Sequence, residues 1–108
     1  MTVKELANRL GYEVVCMPEP DRDVTGGYAG DLLSWVMGRA ESGDAWVTIM
    51  SNLNIVAVAS LADPSCIVLS EGVEPDEETL RRAKEQEVNI LSTTLDTFDA
   101  CVRIAALI

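Results

Sequence analysis

The sequence predicts an α/β fold: a layered domain with a mostly parallel, short-stranded sheet flanked by helices. Two observations predict it. Short β-branched runs alternate with amphipathic segments along most of the chain. One run, Cys66-Ile67-Val68-Leu69, is apolar throughout, as expected of a strand covered on both faces. Right-handed crossovers through the helices would join such strands. The 108 residues suit a single domain spanning 1–108.

Each element has a local cause. Thr2-Val3-Lys4-Glu5 has the form of a capping box, Val3, Leu6 and Leu10 share a helical face, and Gly11 is a natural stop. A first helix over 3–10 follows. Tyr12 to Cys16 reads as a strand, and Pro18 and Pro20 hold the next residues in a loop. Val24 to Gly26 suggests a second short strand. Leu32, Trp35, Val36 and Arg39 predict a helix capped by Gly30 or Asp31 and closed by Gly38 or Gly43. Ala45 to Met50 is a strand. Ser51 or Asn52 caps a helix to about Leu61, carrying Ile55, Val56, Ala59 and Ala62.

Asp63-Pro64-Ser65 breaks that helix, Cys66 to Leu69 is a strand, and Ser70-Glu71-Gly72 turns the chain. Pro75 and the acids behind it open a further helix, whose later Arg81, Arg82 and Lys84 match its dipole. Glu78–Arg82 and Arg81–Glu85 are spaced as ion pairs on it. Leu80, Ala83 and Val88 are expected inside. Val88 to Leu91 is the last strand. Thr93 or Thr94 then caps a final helix with Leu95, Phe98, Val102 and Ala105 as its buried stripe.

Composition narrows the function classes. Apolar residues make up 48% and charged residues 24%, so the chain can fill a core and stay in solution. That core is aliphatic, with two Trp, two Tyr and one Phe. The net charge of -10 disfavours nucleic acid and anionic membrane surfaces. No signal pattern and no membrane-length apolar run are visible, which predicts a cytoplasmic location. Cys16, Cys66 and Cys101 are odd in number and lie in apolar surroundings, so three reduced, mostly buried thiols are expected.

The least ordinary stretch is Val24-Thr25-Gly26-Gly27-Tyr28-Ala29-Gly30-Asp31, which runs into Leu32-Leu33-Ser34-Trp35-Val36-Met37-Gly38. Three glycines in five residues suggest a bend where backbone comes close to a ligand or another subunit. This stretch resembles the DRTGG family, small domains named for an Asp-Arg-Thr-Gly-Gly string. Here the string reads Asp23-Val24-Thr25-Gly26-Gly27, with Val at the Arg position and Arg22 one residue too early. The blocks Ala45–Ile49, Asn52–Ala59 and Ile67–Gly72 are similar to the same group, so the resemblance covers roughly residues 12–107. It implies a fold like the N-terminal domain of bacterial HPr kinase/phosphorylase, itself similar to the first domain of Mur ligases. It also implies a regulatory or accessory role. Longer relatives carry such a domain beside CBS modules in nucleotide-regulated pyrophosphatases, or on phosphotransacetylases, where it tends to mediate dimer contacts.

Three candidate sites follow. The glycine stretch could cradle a phosphate at a helix start. However, Asp23 and Asp31 flank it and no Lys lies close, so a bend at a subunit contact fits better, with Thr25, Gly26, Gly27, Tyr28 and Trp35 as contact residues. An exposed Trp35 would favour this interface. The loops after the strands could hold a nucleotide or another small polar ligand through Asn52, Asn54, Glu71, Thr93 and Thr94. Of these, Asn54 is least explained by capping. The acids Glu71, Glu74, Asp76, Glu77 and Glu78 follow no metal-loop spacing, so no metal and no cofactor is expected. There is no His to serve as a base near neutral pH, and no GxxxxGK[ST] phosphate loop to support kinase chemistry. The expected function is a non-catalytic regulatory or interaction domain that forms a homodimer and senses a small ligand. The alternatives are a nucleotide-binding module using the strand-end loops, or an accessory subunit of a larger complex.

Overall fold

A computed structural model describes residues 1–108. The element order is α1 (Val3–Leu10), β1 (Glu13–Cys16), β2 (Gly26–Ala29), α2 (Leu33–Arg39), β3 (Asp44–Thr48), α3 (Asn54–Ala62), β4 (Cys66–Leu69), α4 (Glu77–Glu85), β5 (Ile90–Ser92) and α5 (Thr97–Ala105). The sheet order is β1-β5-β4-β3-β2. All neighbours are parallel except β1, which runs antiparallel to β5 with a bulge between Val14 and Cys16. The predicted layered α/β fold with a mostly parallel sheet is therefore the observed one.

The central strands are apolar because both faces are covered. One core places Val3, Leu6 and Ala7 of α1 and Ala100 and Ile104 of α5 against Ala45, Val47, Val68 and Leu91 of the sheet. The other places Val36 of α2, Ile55, Val56 and Ala59 of α3, and Ala83 of α4 against Trp46, Ile67, Leu69 and Ile90. The capping box forms as expected: the Thr2 hydroxyl accepts from Glu5 N–H at 3.1 Å and Glu5 accepts from Thr2 N–H at 3.0 Å. Gly11 closes α1 with φ of 68°, a conformation that costs glycine little.

Several expectations are corrected. The glycine stretch is not a bend. Gly26–Ala29 is strand β2, and Val24 precedes it as a core residue. Neither Gly30 nor Asp31 caps α2, because the Asp31 carboxylate accepts from the Thr48 hydroxyl (2.7 Å) and Ile49 N–H (3.0 Å) instead. Helix α2 ends at Arg39, with Ala40 as its C-cap, past Gly38 and before Gly43. Asn52 closes a turn onto Asn54 N–H at 3.0 Å, so α3 starts after it. Asp96, rather than Thr93 or Thr94, caps α5 by accepting from Asp99 N–H at 2.7 Å. That start puts Ala100 and Ile104 inside, while Phe98 is 77% exposed and Val102 is exposed as well. On α4 the expected i,i+4 pairs give way to Arg82–Glu85 at 3.9 Å.

Candidate functional site

The two edges of the sheet are built differently. Sheet edges invite pairing with another chain, and bulges, charges and prolines are the usual defences. Strand β1 has a bulge, begins with Glu13 and runs into the Pro18–Pro20 loop. Strand β2, Gly26-Gly27-Tyr28-Ala29, has no bulge, no charge and no proline, and no strand lies on its outer side.

The residues of β2 are small for two separate reasons. At Gly26 the cause is internal: a Cβ there would lie 2.7 Å from Oδ1 of the buried Asp44, whose other oxygen, Oδ2, accepts from Glu41 N–H at 2.8 Å. At Gly27 no such cause exists, since a Cβ would meet nothing nearer than the Ala45 carbonyl at 3.6 Å. Gly27 and Ala29 instead leave open an apolar cleft of about 240 Å³ between the β2 edge and the end of α5, where Cys101, Ala105 and Ile108 form the other wall. The charge-free lining suits an apolar group, not a phosphate.

On the opposite face of the sheet, Trp35 of α2 is 52% exposed, with the Arg39 guanidinium stacked 3.6 Å from its ring centre. Its neighbours Leu32 and Met37 are exposed too. Of the expected contact residues, the structure therefore gathers Thr25, Gly26, Gly27 and Tyr28 along one edge. Trp35 lies apart on the adjoining helix. Tyr28 turns inward, packing on Gly30, whose carbonyl accepts from the Trp46 indole at 2.9 Å. In the motif string, Val24 is buried at the Arg position. Arg22 reaches Asp63 at 2.9 Å and the Pro64 carbonyl at 3.2 Å, tying the loop before β2 to the end of α3.

The strand-end loops divide in two. Thr93 and Thr94 meet Gly72, Glu74, Gly11 and Glu13 around a polar cleft of about 220 Å³. Asn54 instead borders a separate cleft between α3 and α4, of about 380 Å³, and Asn52 joins neither. Several of these groups are already engaged. Glu71 accepts from Thr97 N–H at 2.9 Å, and the Thr93 hydroxyl accepts from Leu95 N–H at 3.2 Å. No group of three His, Cys, Asp or Glu converges as metal ligands would. Burial pushes the Cys66 thiol up to about 12 and raises those of Cys16 and Cys101, so none is poised as a thiolate. No helix is long and apolar enough to cross a membrane.

The DRTGG domain model matches residues 5–107. The chain belongs to the DRTGG domain family. Its fold is similar to that in a crystal structure of the CBS and DRTGG domains from the regulatory region of a Clostridium perfringens pyrophosphatase, complexed with the activator diadenosine tetraphosphate. The TM-score is 0.74 at 17% identity, over 95% of this chain and 45% of that one. This DRTGG chain thus spans less than half of the structure it resembles. No curated protein matches it in sequence. The α5 wall of the apolar cleft was missed by sequence reasoning. The signal was there: Phe98, Cys101, Val102, Ala105 and Ile108 widen the apolar arc of α5 well beyond one core stripe.

Proposed function

We propose that this DRTGG domain is a non-catalytic regulatory module that works as a homodimer, pairing through the β2 edge and sensing a small ligand. The observation that carries the reading is the undefended edge. Strand β2 lacks every device that shields β1, and Gly27 is small with no internal reason to be. A twofold axis beside β2 would bring Thr25, Gly26, Gly27 and Tyr28 against the same residues of a second copy. Trp35 would then anchor the rim, as half-exposed aromatic residues do at interfaces. The regulatory role is supported by family membership and by the regulatory region in which the structural neighbour carries the same domain.

Light scattering after size exclusion tests the pairing. Gly27→Lys places a charge on the edge at a position with room for a side chain. The variant is expected to lose the edge-paired species while keeping its circular dichroism. An unchanged mass would contradict edge pairing.

One observation favours a second reading, a nucleotide-binding module. The polar cleft at Thr93 and Thr94 lies at the carboxyl ends of the strands, where ligands of parallel sheets bind, and the structural neighbour is complexed with a dinucleotide. Glu13 and Glu74 on the rim suit the hydroxyls of a ribose better than phosphates. A thermal-shift panel of adenine and uridine nucleotides tests it, since a ligand at a hundred times its Kd stabilises by about 2.7 kcal/mol. No shift at millimolar nucleotide contradicts the reading, and Thr94→Ala should abolish any shift that appears.

A further inference from the structure

Helix α3 is the only one of the five helices without a charged residue, in a chain whose net charge is -10. Its inner side is accounted for, with Ile55, Val56, Val58 and Ala59 buried. Its outer side carries no charge: Asn54, Ala57, Ser60 and Leu61 are its exposed residues, where a surface helix normally places charged groups. Leu61 is 71% exposed and Leu53, just before the first turn, is 37% exposed, with the exposed Ala57 midway between them. Residues four apart form one ridge. Beside that ridge runs the cleft of about 380 Å³, bounded by Ser60 and Leu61 on α3, by Arg82 on α4 and by Gln86 just past it.

We propose that α3 packs antiparallel against α3 of a second copy, across a twofold axis through Ala57. The order of residues selects a second copy as the occupant. About Ala57 the ridge reads the same in both directions: Leu53 and Leu61 each lie four residues away, Asn54 and Ser60 each three. A twofold contact demands a surface complementary to itself, and this ridge has that property. Leu53 meets the partner's Leu61, and the small Ala57 lets the two helices approach to about 8 Å. Asn54 meets the partner's Ser60. The Asn54 side-chain amide has no hydrogen bond within the chain, and the Ser60 hydroxyl donates to the Val56 carbonyl at 3.0 Å, leaving its lone pairs to accept. Charge points the same way. Two copies at -10 repel each other, and a charge-free ridge with Arg82 beside it is where they approach at least cost.

This seam lies on a different surface from the β2 edge and stands whether or not the edges pair. Both together would carry association beyond a dimer. The test combines a charge at the seam with a cross-link on its axis. Leu61→Glu should lower the mass measured by light scattering, by half where this seam is the only contact, with circular dichroism unchanged, because Leu61 is exposed on the single chain and packs only across the seam. In a Cys101→Ser background, Ala57→Cys should form a covalent dimer on mild oxidation, whereas Glu78→Cys, exposed on α4, should not. If only the α3 seam exists, Gly27→Lys leaves the mass unchanged while Leu61→Glu still halves it, so the two contacts fail separately. A mass unaffected by Leu61→Glu overturns the proposal, as does cross-linking at position 57 no faster than at position 78.

Discussion

Asn89 shows how one side chain can hold the loop that leads into the β2 edge. It is buried, yet all of its bonds point to named partners. Its Oδ1 accepts from Glu19 N–H at 2.9 Å, and its Nδ2 donates to the carbonyls of Glu19 at 2.7 Å and Ser65 at 2.9 Å. Asn89→Ala strands the Glu19 and Ser65 backbone groups and should cost about 2–4 kcal/mol, read as a lower urea midpoint at constant slope. The two adjacent glycines of β2 give a sharper contrast. Gly26→Ala forces a Cβ against the buried Asp44 carboxylate and should cost about 1–3 kcal/mol. Gly27→Ala meets only an ordinary contact and should stay within about 0.5 kcal/mol of the parent. The same urea titrations check both.

At the scale of elements, sequence patterns reported what is local. The capping box of α1, the all-apolar β4 and the acid-first α4 were legible because each has a short-range cause in its own residues. What was not legible depended on distant atoms. The Asp31 carboxylate is a fair helix cap by composition, but it is claimed by Thr48, seventeen residues on. The glycines read as a bend because nothing near them in sequence reveals the Asp44 side chain that Gly26 must clear. On α5, apolar residues cover so much of the circumference that periodicity alone admits two stripes, and the cap at Asp96 decides between them. That correction has a consequence: Ile104→Ala should cost about 2–4 kcal/mol, whereas Phe98→Ser should change stability by less than about 0.5 kcal/mol.

The end of α3 adds a pH dependence. The Ser42 hydroxyl, 2.6 Å away, and then the Arg22 guanidinium hold the Asp63 carboxyl below its ordinary value of 3.8. A group lowered in the folded state adds stability above its unfolded pKa, and loses it as pH falls through the folded value. Asp63→Asn keeps a side chain suited to the φ of 61° at this position. The variant should therefore melt lower than the parent at neutral pH. The difference should shrink once the pH drops below 3.8 and vanish under the folded-state pKa.

At the scale of the whole molecule, two uncharged surfaces stand out on an acidic chain: the β2 edge with its apolar cleft, and the ridge of α3. Contacts across uncharged surfaces between like-charged copies should strengthen as added salt screens the repulsion. Asn52, Glu71 and Thr93 of the strand-end loops already bond to nearby backbone N–H groups, whereas the two uncharged surfaces have no partner within the chain. The most direct test is the absolute mass of the unmodified chain in solution, measured by light scattering at micromolar concentration and at two salt levels. The account predicts at least twice the chain mass of 11.7 kDa, with more association at the higher salt. A mass of 11.7 kDa under both conditions would contradict it.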